Sequence, residues 1–257
     1  MERTERLSSD LLNGLVSDVR SVLGDDLVGL YLYGSAVAGG FDAGVSDIDL
    51  AAVTSSDVEW LDLAGLVRMH GRFVERNPAW RDRLEIVYVG RATLESFRTS
   101  PGALAVISPG EPFRVRQDPI VDWLQNWYLI RETSETLWGT PASAVVPPIA
   151  WSEFVAATRR YAGELHDRSR VGGGTLSYAI LTMCRALRTV EMQAPSSKQE
   201  AAVWTRDRMP EWAWLIDAAL ACRLSGGRIG LDDVRSRAAA ETFITLLRER
   251  IALLPEL

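Results

Sequence analysis

The chain has 257 residues, 47% hydrophobic and 24% charged, with a formal net charge of −6, enough for one large domain or two small ones. The acidic balance argues against a general nucleic-acid binder, which needs a basic face, and suits a cationic small substrate. No apolar run reaches the length of a membrane span, and the charged start Met-Glu-Arg-Thr-Glu-Arg has no apolar signal core, so a cytoplasmic location is expected.

Residues 8–23 carry Leu11, Leu12, Leu15, Val19, Val22 and Leu23 at helical spacing. A short apolar strand over 27–33 follows and ends in Gly34-Ser35. A second strand, 47–53, carries Asp47 and Asp49. Side chains two apart on a strand share a face, so the two aspartates project together, with Ile48 and Leu50 opposite. Two hard carboxylates on a rigid strand beside a Gly-Ser turn suit Mg²⁺ with a polyphosphate bound to it. Gly34 would let the backbone approach the phosphates, and Ser35 offers them a hydroxyl and an amide. The pattern predicts a helix over 57–76, capped by Ser55 or Ser56 and stopped by Asn77-Pro78.

Residues 83–89, Arg-Leu-Glu-Ile-Val-Tyr-Val, read as a third strand. Glu85 is the only acid within its apolar part. Apolar surroundings raise a carboxyl pKa toward values useful to a base, so Glu85 is the candidate catalytic base. A short helix is expected over 91–98. Prolines and glycines break every period over 100–119, which reads as irregular chain or a short strand. A helix with several tryptophans is expected over 118–139. Pro147-Pro148 marks a boundary, and the rest reads as helices over 151–167, 175–193, 197–209, 211–224 and 232–253, with no strand signal. The expected fold class is α+β: a catalytic domain with a mixed sheet and helices over 1–148, then an all-α bundle over 149–257. Cys184 and Cys222 read as buried free thiols. His70 and His166 have no zinc-site spacing.

Gly34-Ser35, about ten residues, then Asp47-x-Asp49 resembles the signature of the DNA-polymerase-β-like nucleotidyltransferases. Within that superfamily, Leu32-Tyr33-Gly34-Ser35-Ala36 with Ser46-Asp47-Ile48-Asp49-Leu50 looks most like the streptomycin/spectinomycin adenylyltransferases of antibiotic resistance. The resemblance implies a polymerase-β-like catalytic domain, ATP as co-substrate, Mg²⁺ held by Asp47, Asp49 and Glu85, and transfer of AMP to a hydroxyl of a cationic aminoglycoside-type acceptor. A Glu on the corresponding strand is that family's base, which carries over to Glu85 alone. A monomer is expected.

Leu181-Thr182-Met183-Cys184-Arg185-Ala186-Leu187 and Ala194-Pro195-Ser196-Ser197-Lys198 look like the helix and turn of that family's C-terminal domain. There an Arg, and a Lys thirteen residues on, bind ATP phosphates. Arg185 and Lys198 have that separation. Lys198 is the only lysine of the chain. It opens a helix capped by Ser196 or Ser197, with Gln199 or Glu200 completing a capping box. A cation there opposes the helix dipole, which a bound anion would justify.

The chain also departs from the family. Its drug-modifying members carry acidic residues just before this helix, whereas residues 170–175 read Arg-Val-Gly-Gly-Gly-Thr. Asp167 and Glu164 could substitute only if the loop folds back. The tryptophan used on streptomycin has no clear counterpart in 100–119, and Trp123 and Trp127 read as core. The alternatives are a nucleotidyltransferase acting on another metabolite or a protein, and a non-catalytic nucleotide-binding regulator.

Overall fold

Three strands of seven residues make the middle of one sheet: β1 (Leu27–Tyr33), β2 (Ile48–Thr54) and β3 (Leu84–Gly90). Each is almost wholly apolar and buried, as a strand covered on both faces should be. The computed structural model describes residues 7–100, 102–117, 123–168, 173–227, 230–231 and 233–255, and side chains outside 166–168 and 173–175. The chain divides into two compact units, Met1–Ile149 and Ala150–Leu257.

In the first unit, helix α1 (Ser9–Leu23) starts at Ser8, whose hydroxyl accepts from the Leu11 amide at 3.3 Å. It buries Leu15, Val19 and Leu23 against the sheet core. β1 runs antiparallel to β2, and β2 runs parallel to β3. The parallel pair needs a crossover, which α2 (Leu63–Arg76) supplies. Two further strands, β4 (Leu104–Ile107) and β5 (Arg114–Arg116), extend the sheet beyond β3, and β6 (Glu135–Gly139) pairs with β1 at the other side. The order is β5-β4-β3-β2-β1-β6. Short helices α3 (Arg91–Glu95), α4 (Leu124–Thr133) and α5 (Ala142–Val145) complete the unit.

Three expectations change. The helix expected over 57–76 begins only at Asp62, whose carboxylate caps it through the Gly65 amide at 2.8 Å. Val58–Trp60 is a separate 3₁₀ turn. Ser55 and Ser56 instead donate to the Asp26 carboxylate at 2.6 and 2.7 Å, joining the far end of β2 to the start of β1. The stretch expected to be irregular or one strand holds two, β4 and β5. The helix expected over 118–139 stops at Thr133, because 135–139 is drawn into pairing with β1; residues 118–122 lie outside the described ones. Trp127 is fully buried and stacks on Trp123 with ring centroids 5.9 Å apart.

Inside this unit, His70 of α2 meets Tyr88 of β3, Nε2 to hydroxyl 3.0 Å, both buried. Burial lowers the His70 pKa to about 4.

The second unit is built from α6 (Trp151–Arg168), α7 (Gly173–Met192), α8 (Lys198–Arg208), α9 (Ala213–Leu224) and α10 (Val234–Leu253). α7 buries Ile180, Leu181, Met183, Cys184 and Leu187. A helix apolar on so many sides belongs at the centre of a bundle, and the other four pack around it. Cys184 and Cys222 are free and buried, and burial pushes the Cys184 thiol up to about 12. Among the described residues no helix is long and apolar enough to cross a membrane.

Candidate active site

The register of the sheet assembles the first unit's candidate residues. Tyr33 of β1 lies opposite Asp49 of β2, and Asp49 lies opposite Glu85 of β3. Facing residues in a ladder share a side of the sheet, so the three form one row across three strands. On the other side Ile48, Leu50, Leu84 and Ile86 are buried in the core. Asp47 sits just before β2. Its half-buried position, between buried Ser46 and buried Ile48, keeps it in step with Asp49.

Gly34 ends β1 with φ +69 and begins a 3₁₀ turn, Gly34–Ala36. A Cβ placed there would stand 2.1 Å from Asp49 Oδ2. Glycine is therefore required twice: for the left-handed backbone, and because the Asp49 carboxylate occupies the space a side chain would fill. The Gly34 carbonyl accepts from the Ala38 amide at 3.0 Å, which curls the chain through half-buried Ser35.

Tyr33 joins the row as a residue that no sequence motif assigns a role. Its hydroxyl donates to Glu85 Oε1 at 3.4 Å. Burial, with the negative charges of Glu85 and Asp49 behind it, pushes its phenol well above the ordinary value, so it remains a proton donor. Its place directly before Gly34 is the one signal in the sequence, but its partner lies 52 residues away, and it takes the antiparallel pairing of β1 with β2 and the parallel pairing of β2 with β3 to bring the two together.

The loop before Asp47 is tightly bonded. The Ser46 amide donates to the Asp42 carbonyl at 2.7 Å, and the Asp42 amide donates to Ser46 Oγ at 2.9 Å. Arg83 donates to the Ser46 carbonyl and lies over the Trp80 ring at 4.5 Å.

Among the described residues no group of three or more His, Cys, Asp or Glu side chains is placed to hold a metal ion. Magnesium asks for less: one or two protein carboxylates, with substrate phosphates and water completing its shell. Asp47 and Asp49 provide two hard oxygen donors of that kind.

In the second unit, Lys198 is the first residue of α8 and Ser197 is its cap, accepting from the Glu200 amide at 3.1 Å. The Glu200 carboxylate pairs with Arg188. Lys198 is half-buried, with Nζ over the Tyr178 ring at 3.9 Å, and Tyr178 and Tyr161 share a hydroxyl contact of 3.0 Å. Arg185 lies seven residues after Tyr178 on α7, two turns along the same side, and is half-buried. Among the described residues no carboxylate pairs with it. Residues 170–172, and the side chains of Asp167 and of 173–175, lie outside the described ones.

Comparison with known proteins gives three likenesses. The family described as aminoglycoside adenylyltransferase, C-terminal domain, matches residues 144–249. A spectinomycin 9-adenylyltransferase from Campylobacter jejuni is 24% identical over 214 residues, spanning 78% of this chain and 79% of that protein. The crystal structure of spectinomycin adenyltransferase AAD(9) from Enterococcus faecialis, with ATP and spectinomycin, superposes with a TM-score of 0.74 at 18% identity, covering 96% of this chain and all of that one.

Proposed function

We propose that this chain is an aminoglycoside adenylyltransferase, the family its C-terminal part matches, and that it moves AMP from ATP to a hydroxyl of an aminoglycoside-type antibiotic. The observation that carries the chemistry is the row of Asp49 and Glu85 on adjacent parallel strands beside the Gly34 turn. Asp47 and Asp49 would hold magnesium. The ion would neutralise the triphosphate and steady the departing pyrophosphate. Glu85 takes the proton of the acceptor hydroxyl as its oxygen attacks the α-phosphorus and the bond to the bridging oxygen breaks. Tyr33 keeps the Glu85 carboxylate turned into the row. The Gly34–Ala36 turn presents amides and the Ser35 hydroxyl to phosphate oxygens. Arg185 and Lys198 are the nucleotide-binding residues of the helical unit.

Spectinomycin is favoured over streptomycin as acceptor. Both named relatives are spectinomycin enzymes, and the tryptophan expected for streptomycin has no clear counterpart here. The test is incubation with ATP, Mg²⁺ and a panel containing spectinomycin, streptomycin and other aminoglycosides. Pyrophosphate release with a spectinomycin product heavier by one AMP supports the reading. ATP binding without turnover on any of the panel removes it in favour of another acceptor.

A further inference from the structure

We propose that Arg83 is a positioning residue for Asp47, holding the main chain on both sides of that aspartate so that its carboxylate is set before nucleotide and metal arrive. The proposal rests on Asp47 being a metal ligand.

Two peptide groups flank Asp47, and Arg83 binds both. Its guanidinium donates to the Ser46 carbonyl, in the peptide leading into Asp47. Its own carbonyl accepts from the Ile48 amide at 2.9 Å, in the peptide leading out. With the planes before and after fixed, little freedom is left in the two backbone torsions of Asp47. The guanidinium is itself held. It lies 4.5 Å over Trp80, and Trp80 stacks on Phe41, where the loop begins, at 6.4 Å and 25°. The Arg83 amide donates to the Trp80 carbonyl at 3.2 Å. Arg83 Nε is buried with no hydrogen-bond partner among the described residues, so this nitrogen has given up water for its place. An arginine fork reaches a carbonyl while its plane stacks on a ring, which a lysine cannot do as well. Asp49 needs no such device: it lies inside β2 and the ladder fixes it.

The experiment is a calorimetric titration with ATP, in EDTA and then in Mg²⁺, of wild type, Asp47→Asn, Arg83→Met and the double variant, with a thermal melt of each. Methionine keeps an apolar stem on Trp80 but cannot donate. Arg83→Met is expected to leave ATP affinity in EDTA unchanged and to reduce the magnesium-dependent gain by about tenfold, the loss of one charge-assisted hydrogen bond. In the double variant it should add nothing to the loss from Asp47→Asn, because the residue it positions has lost its charge. Arg83→Lys should recover part of the gain. A merely structural role would lower the melting temperature and add in full to Asp47→Asn. That additivity, or an intact magnesium gain in Arg83→Met, overturns the proposal and leaves the metal assignment standing. An intact gain in Asp47→Asn alone overturns the metal assignment and the proposal together. If Arg83→Met does not fold, Arg83→Leu, which also cannot donate, enters the same cycle and is judged by the same outcomes.

Discussion

Gly34 and Asp49 fit one another as a backbone with no side chain and a carboxylate filling its place. Such a close fit leaves Asp49 little room to change size, so its charge is tested with an isostere. Asp47→Asn and Asp49→Asn keep the shape and remove the charge, so each should melt close to wild type and lose at least about 10²-fold in turnover, the scale of a lost electrostatic contact to the transition state. Turnover near wild type in either variant would remove the metal assignment. Glu85→Gln separates base from ligand. It should bind ATP–Mg²⁺ normally and lose about 10²–10⁴-fold in turnover, the usual worth of a general base. Loss of ATP–Mg²⁺ affinity in that variant, measured by calorimetry, would reassign Glu85 to the metal.

At the scale of elements, α2 and β3 are tied by His70 and Tyr88, and this tie titrates. Unfolded, the imidazole has a pKa near 6.5; folded, burial lowers it to about 4. The unfolded chain therefore binds the extra proton first as pH falls. The tie is fully effective above pH 6.5 and is lost progressively between 6.5 and 4, at up to about 1.4 kcal/mol per pH unit. Melts of wild type and His70→Gln at pH 7 and pH 5 should show a smaller loss in the variant; equal losses would put the acid sensitivity elsewhere. The sequence shows α1 and the five C-terminal helices as long segments without strand signals, and the three central strands as short continuous apolar runs between turn residues. It misplaces the α2 cap because Ser55 and Ser56 are good capping residues, and only the fold reveals that Asp26 has taken them. It hides β6 because an exposed edge strand has no apolar alternation of its own, and its strand character comes from its partner β1. The aspartates and Glu85 are legible as acids in apolar strands. Tyr33 and Arg83 are not, since the role of Arg83 arises from the parallel pairing of β2 with β3 and that of Tyr33 from this pairing together with the antiparallel one of β1 with β2.

At the scale of the molecule, each unit carries its own set of candidate site charges. The first holds the carboxylate row; the second holds Arg185 and Lys198, the latter at a helix start where an anion is the natural partner. Lys198→Ala should weaken ATP–Mg²⁺ binding by roughly 1.5–3 kcal/mol. It also loses the contact with Tyr178, worth about 0.5–1 kcal/mol to folding, so a melt must accompany the titration. Equal ATP affinity in wild type and variant would leave the nucleotide to the first unit alone. The strand directions carry one more consequence. β2 and β3 both begin at the row and β1 ends there, whereas open parallel sheets place their ligands where strands finish. The segments beside the row are thus those entering strands, 35–46 and 77–82, and within them the residues able to vary are those outside Ser35, the Asp42–Ser46 bonds and the Arg83–Trp80–Phe41 brace. On the opposite rim, Asp26 with Ser55 and Ser56, and Asp57 with Thr93 at 2.8 Å, lock the departing loops together. Laboratory evolution toward a new drug should therefore gather substitutions on the entering rim, while changes on the locked rim register as altered melting with acceptor preference untouched.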